Sequence, residues 1–209
     1  MTSALIRRQR YPSGAGLLKV LAMDGQRSDQ ELMMAYGRGD TDAFGELYAR
    51  HKGPLYRYFK RQCRVVEMAD ELFQDTWARV IQARERYQPT AKFTTWLYRI
   101  AHNLLIDQGR KHQRLPHLVV VGDEVDPAST DPTQESLADA AALQQRLLSA
   151  IAALPDEQRE AFLLKEEGGL SLSDIGDVLG IGRETVKSRL RYATQKLRSA
   201  LADDQQAHL

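Results

Sequence analysis

At 209 residues, with 43% hydrophobic and 27% charged residues, the chain suits one globular domain or two small ones. Its net charge is only +1, so bulk attraction to nucleic acid is excluded and any such binding must rest on local clustering. A single cysteine, Cys63, rules out an internal disulfide, and no apolar run approaches a membrane span, so the expected setting is cytoplasmic, without membrane insertion.

Residues 1–27 carry a basic cluster (Arg7, Arg8, Arg10) and the breaker Pro12-Ser13-Gly14-Ala15-Gly16, with little helical periodicity. They are expected to form a disordered extension. The short apolar run 17–23 is broken by Lys19 and makes a poor secretory core. Met23, just ahead of the first patterned segment, is an alternative translation start that an intact mass would test.

From Ser28 the pattern turns helical. Ser28 or Asp29 can cap a first helix holding Leu32, Met33 and Tyr36, ended by Gly37 and Gly39. Asp40 or Thr41 opens a second, with Phe44, Leu47 and Tyr48 and, after Pro54, Leu55, Tyr58 and Phe59. A third is predicted from about Val65 to Tyr87, with Leu72, Phe73, Trp77 and Val80 inward. Its other side carries Glu67, Asp70, Glu71 and Asp75 with no basic residue between them. Such a face suits a basic protein surface and would repel phosphate. Gln88-Pro89-Thr90-Ala91 breaks the pattern, and a fourth helix is predicted from about Phe93 to Gln113. There the charge reverses: Lys92, Arg99, Arg110, Lys111 and Arg114 oppose only Asp107, with Phe93, Trp96 and Tyr98 interleaved. Cations alternating with rings suit single-stranded DNA. The spacing of Trp96 with Ile100 and Leu104 favours core packing, whereas Phe93 and Tyr98 are candidates for stacking or walling a base pocket.

Residues 115–135 read as a flexible linker, with Pro116, Gly122, Pro127 and Pro132 and the acids Asp123, Glu124, Asp126, Asp131 and Glu135. Fully extended it reaches roughly 70 Å, so two helical halves could meet one duplex about two turns apart. Leu137 to Leu154 forms the next helix, and Pro155 restarts the chain into Asp156–Glu167.

The segment 169–190 reads as a helix-turn-helix. Ser171 and Asp174 form a capping-box-like start, and Gly180 and Gly182 supply the turn. Val186, Leu190, Ala193 and Leu197 make one buried stripe of the second helix, opposite Glu184, Lys187, Ser188, Arg191 and Gln195. Between Arg183 and Arg198 six basic residues oppose one acid, while 156–177 holds seven acids against two basic residues. That segregation points to a helix that reads a major groove.

Four strings in order carry a resemblance to a family. They are the stretch 39–48 (Gly-Asp-Thr-Asp-Ala-Phe-Gly-Glu-Leu-Tyr), 69–77 (Ala-Asp-Glu-Leu-Phe-Gln-Asp-Thr-Trp), 93–107 (from Phe93-Thr94-Thr95-Trp96 to Asp107), and 154–159 together with 185–190. On these the chain, over about residues 28–202, resembles bacterial RNA polymerase sigma factors of the extracytoplasmic-function group. The resemblance implies an all-α protein of two small helical domains joined by the acidic linker: region 2 over 28–114, and region 4, with the helix-turn-helix, over 136–202, followed by a tail at 203–209. It implies a non-enzymatic initiation factor with no cofactor, no metal and no catalytic residue. Asp70, Glu71, Gln74 and Asp75 would dock on core RNA polymerase. Lys92, Phe93, Tyr98, Arg99, Asn103 and Arg110 would contact the −10 element of promoter DNA. Arg183, Glu184, Lys187, Ser188 and Arg191 would read the −35 groove, with Arg189 and Arg198 on phosphates. An anti-sigma partner is implied by kinship alone. Where the family commonly has an Arg-Ala-Arg-like run, this chain has Arg191-Tyr192-Ala193-Thr194, which leaves the −35 preference open.

Two rivals stand beside this reading. A plain helix-turn-helix regulator needs a ligand pocket or phosphoacceptor that residues 28–114 do not suggest. An enzyme could use His102 with Asp107, or His51, Cys63 and His112, but no spacing matches a zinc motif; a histidine among basic residues is expected as a polar surface group.

Overall fold

The computed structural model describes residues 27–63, 65–112 and 134–206, with side chains placed up to Arg110 and again between 141 and 202. Every regular element among them is helical. The order is α1 (Asp29–Gly37), α2 (Thr41–Gln62), α3 (Val66–Ala83), a 3-10 turn (Arg84–Arg86), α4 (Phe93–His112), α5 (Gln134–Ala152), α6 (Asp156–Glu166), α7 (Leu172–Leu179) and α8 (Arg183–Gln206).

Local chemistry sets the helix starts. Ser28 and Glu31 form a full capping box at α1, and Asp40 accepts the Ala43 N–H at 3.0 Å to open α2. α2 runs unbroken through Pro54 for 22 residues. The third helix is shorter than its pattern predicts: α3 ends at Ala83, and the 3-10 turn absorbs the rest. α5 begins at Gln134, inside the expected linker, so that linker is shorter than its composition suggests. The remainder of the expected linker and residues 1–26 of the N-terminal extension lie outside the described residues, whereas Arg27 pairs with Asp40 at 2.9 Å.

α1 to α4 close around Leu32, Leu47, Leu55, Phe59, Leu72 and Leu97, each essentially fully buried. Rings line the inner side of α3, where Trp77 meets Tyr48 edge-on at 4.9 Å between centroids and Phe44 at 5.8 Å. α6, α7 and α8 close around Leu163, Leu164, Ile175, Val186 and Ala193. The two halves do not stand apart. α4 packs on α7 and α2 on α6, and a single hydrophobic cluster runs through both.

Candidate functional site

The helix-turn-helix forms as its local signals require. Ser171 Oγ accepts the Asp174 N–H at 3.2 Å, while the Asp174 carboxylate accepts the Ser171 hydroxyl at 2.6 Å. Ile175 and Val178 are buried. α7 stops at Gly180, whose φ of 66° is left-handed and disfavours a Cβ. Gly182 has no such role: its carbonyl accepts the N–H of Thr185 and Val186 and starts α8. Val186, Ala193 and Leu197 point inward, with Leu190 half-buried against them.

That fixes the outer face of α8. Arg183, Glu184, Lys187, Arg191 and Arg198 are exposed, and Ser188 is half-buried at its edge. Lys187 lies 3.7 Å from Glu184 with both side chains mostly in solvent, so the pair holds neither residue firmly. Arg189 departs from its expected phosphate role. Its guanidinium donates to Glu157 at 2.6 Å and its side chain is only 21% exposed, so it ties α8 to α6.

α3 presents Glu71, Gln74 and Asp75 to solvent. Asp70 is half-buried and accepts the Tyr56 hydroxyl at 2.9 Å, which fixes the edge of this acidic face.

α4 divides its expected residues. Arg99, Asn103 and Arg110 are exposed, as is Lys92 just before the helix. Phe93 and Tyr98 are instead interior, each about 1% exposed. Phe93 packs among His51, Tyr87 and Trp96, with centroids 5.3–6.3 Å away. Tyr98 meets Tyr58 edge-on at 5.3 Å. Neither ring offers a face to a strand in this arrangement. The reason is geometric: both stand on the side of α4 that closes the core, a side that the ring chemistry alone does not reveal.

A set of acids from the C-terminal half meets the N-terminal half, and sequence reasoning missed its purpose. Lys92 Nζ lies 3.0 Å from Asp174 Oδ2, and the Arg99 guanidinium donates to the Asp177 carbonyl at 3.4 Å. Arg57 donates to Glu167 at 2.8 Å, Arg61 pairs with the same carboxylate, and that carboxylate is 7% exposed. His102, expected at the surface, is buried with Nδ1 2.5 Å from Glu160, which also accepts the Tyr58 hydroxyl at 3.3 Å. A Cβ at Gly168 would sit 3.2 Å from the Tyr98 ring, so the α6–α7 turn covers that ring closely. The signal was present as the acidic run 156–177, read only as a contrast to the basic helix after it. Burial alone would raise the Asp174 carboxyl, but hydrogen bonds from Ser171 and Lys92 outweigh it and pull the pKa down to about 2.

Two of the groups named for the enzyme reading are otherwise engaged. His51 bonds Asp29 at 2.8 Å, and burial pushes the Cys63 thiol up to about 12, away from the reactive thiolate. Among the described residues no group of three or more His, Cys, Asp or Glu could hold a metal. No helix among them is long and apolar enough to cross a membrane.

Family comparisons match each helical half separately. Residues 47–115 match Sigma-70 region 2 and residues 144–197 match Sigma-70, region 4. The chain is 32% identical to the RNA polymerase sigma factor CarQ of Myxococcus xanthus over 171 residues, covering 82% of this chain and 96% of that protein. It is 33% identical over 177 residues to the ECF RNA polymerase sigma factor SigW of Bacillus subtilis, covering 79% and 92%. The chain belongs to the ECF sigma factors. A sigma factor binds core RNA polymerase, recognises −35 and −10 promoter elements and promotes DNA melting, and this one is built on that plan. The fold agrees: CnrH, solved in complex with the cytosolic domain of CnrY, superimposes with a TM-score of 0.61 at 25% identity, over 85% of this sigma factor and 99% of that chain. The family is one of non-catalytic regulators.

Proposed function

We propose that residues 28–114 form the module of this sigma factor that grips core polymerase and the −10 element, and residues 136–202 the module that reads −35. α8 enters the major groove with Arg183, Glu184, Lys187, Ser188 and Arg191, and Arg198 lies where it can hold a phosphate. Arg and Lys can bond guanine O6 and N7 there, each discriminating by about 1–3 kcal/mol. Asp70, Glu71, Gln74 and Asp75 on α3 dock on the polymerase. Lys92, Arg99, Asn103 and Arg110 hold the separated −10 strand, and the loop between Gln88 and Phe93 receives an extruded base, offsetting part of the few kcal/mol lost on unstacking.

The carrying observation is the outer face of α8. It combines exposed Arg183, Lys187 and Arg191 with a buried stripe and the left-handed Gly180 turn that present them together. The protein works in the cytoplasm beside the polymerase, without catalysis of its own, and an anti-sigma partner follows from its family. Adding it to core polymerase on a genomic promoter library tests the reading: discrete promoter-directed transcripts are expected. DNA binding without transcripts would favour a plain regulator.

A further inference from the structure

We infer that Tyr192 is a positioning residue for −35 specificity: its ring holds the Arg191 guanidinium where it bonds the guanine edge of one G·C pair. The inference rests on the proposed reading of −35 by α8. It gives a role to the run Arg191-Tyr192-Ala193-Thr194, where this chain departs from the pattern of its family. Ala193 is buried in the stripe that seats α8, whereas Tyr192 points away from that stripe and is 48% exposed. A single exposed ring needs no explanation by itself. The guanidinium on its face does: Arg191 Cζ lies over the Tyr192 ring, 4.9 Å from its centroid.

Successive residues of a helix point about 100° apart, so Arg191 reaches the ring only by bending round the helix. The contact therefore selects a direction for the side chain. Nothing else among the described residues sets it. Lys187 has Glu184 at 3.7 Å and Arg189 has Glu157 at 2.6 Å, but no carboxylate lies within ion-pair distance of Arg191. The kind of tie matters for recognition. A carboxylate partner would occupy the N–H donors of the guanidinium, as Glu157 does for Arg189. A ring attracts the cation through its π face and leaves those donors free. Guanine O6 and N7 need two of them at once, in one plane. Arg191 also borders a groove beside Lys187, Thr194 and Arg198 on the outer face of α8, so the held cation stands among the other exposed groups proposed to meet DNA.

The test uses the full chain assembled with core polymerase, on a promoter library whose −35 element is randomised, with bound DNA sequenced. Arg191→Ala is expected to abolish the preference for G·C at one base pair and so to mark the pair that Arg191 reads. Tyr192→Ala and Tyr192→Leu should each lower the preference at that same pair by about threefold, the scale of an exposed cation–π contact. Tyr192→Phe keeps the ring and should retain the preference. Added to Arg191→Ala, Tyr192→Ala should change nothing further, because the ring acts through the guanidinium. A full preference in Tyr192→Leu, a loss at a different base pair, or a further loss in the Arg191→Ala background would overturn the positioning role alone. So would an Arg191→Ala chain that keeps every preference. A wild-type holoenzyme with no sequence preference anywhere in the randomised element would instead refute the −35 reading beneath it.

Discussion

The Lys92 ammonium lies 3.0 Å from the Asp174 carboxylate, joining two helical halves across 82 residues of sequence. Asp174 also caps α7 through Ser171, so one carboxylate both starts the first helix of the helix-turn-helix and fastens it to the other half. Its pKa of about 2 lies below the ordinary value of about 3.9. A depressed carboxylate contributes stability that is fully present above the unfolded value and is lost as pH falls through the folded one. The cap and the tie are therefore expected intact at pH 5 and lost between about pH 4 and pH 2. Carbon-detected NMR titration should give Asp174 a pKa near 2, and Ser171→Ala and Lys92→Ala should each move it upward. A normal Asp174 in the wild type would contradict the bonding.

The turn makes a stability prediction. At Gly180 the backbone is left-handed, a region where an L-residue costs roughly 1–2 kcal/mol. Gly180→Ala should lower urea-unfolding stability by about that amount, and Ser171→Ala by about 1 kcal/mol through loss of the cap. Gly182→Ala should cost less than either, because Gly182 is not left-handed. Equal losses at 180 and 182 would mean that both glycines make the turn.

These local devices were legible because caps, breakers and apolar stripes act within a few residues of themselves. Ser28, Asp40, Ser171, Gly180 and the Val186–Leu197 stripe announce their helices directly. The meeting of the halves was not legible. Glu167 finds Arg57 110 residues away and Glu160 finds His102 58 residues away, and no periodicity encodes such pairings. The long linker suggested separation, but its length permits contact equally. The exposure of the outer face of α8 was legible, because it follows from the helix stripe opposite it. The burial of Phe93 and Tyr98 was not legible, because a ring suits a core as well as it suits a base.

Arg189 and Lys187 should separate in their salt dependence. Each phosphate contact releases counterions and adds about one to the slope of log affinity against log salt. Lys187, exposed and held only at 3.7 Å by Glu184, is free to meet DNA, whereas Arg189 is bound to Glu157 at 2.6 Å. Lys187→Ala should weaken binding to −35 duplex by several-fold and, where it meets a phosphate, flatten the slope. Arg189→Ala should leave the slope nearly unchanged and cost no more than about 1 kcal/mol of stability, since Glu157 is largely exposed. Filter binding over a salt series, with urea melts, measures both. A flattened slope for Arg189→Ala would restore its phosphate role.

The acidic face of α3 should be separable from DNA recognition. Glu71 and Asp75 are exposed, so reversing their charge leaves the core of α3 intact; surface changes of this kind usually stay within about 0.5 kcal/mol. Glu71→Lys with Asp75→Lys is expected to weaken association with core polymerase at least tenfold in analytical ultracentrifugation while the −35 contact of α8 is unchanged. Asp70 needs its own variant, because it accepts the Tyr56 hydroxyl at 2.9 Å and its loss would leave that donor without this acceptor. Asp70→Asn retains a side-chain oxygen to accept that bond and removes the charge, so a loss of polymerase binding there would assign the effect to charge rather than to a disturbed α2–α3 contact. Unaltered polymerase binding in both variants would move the docking surface off α3.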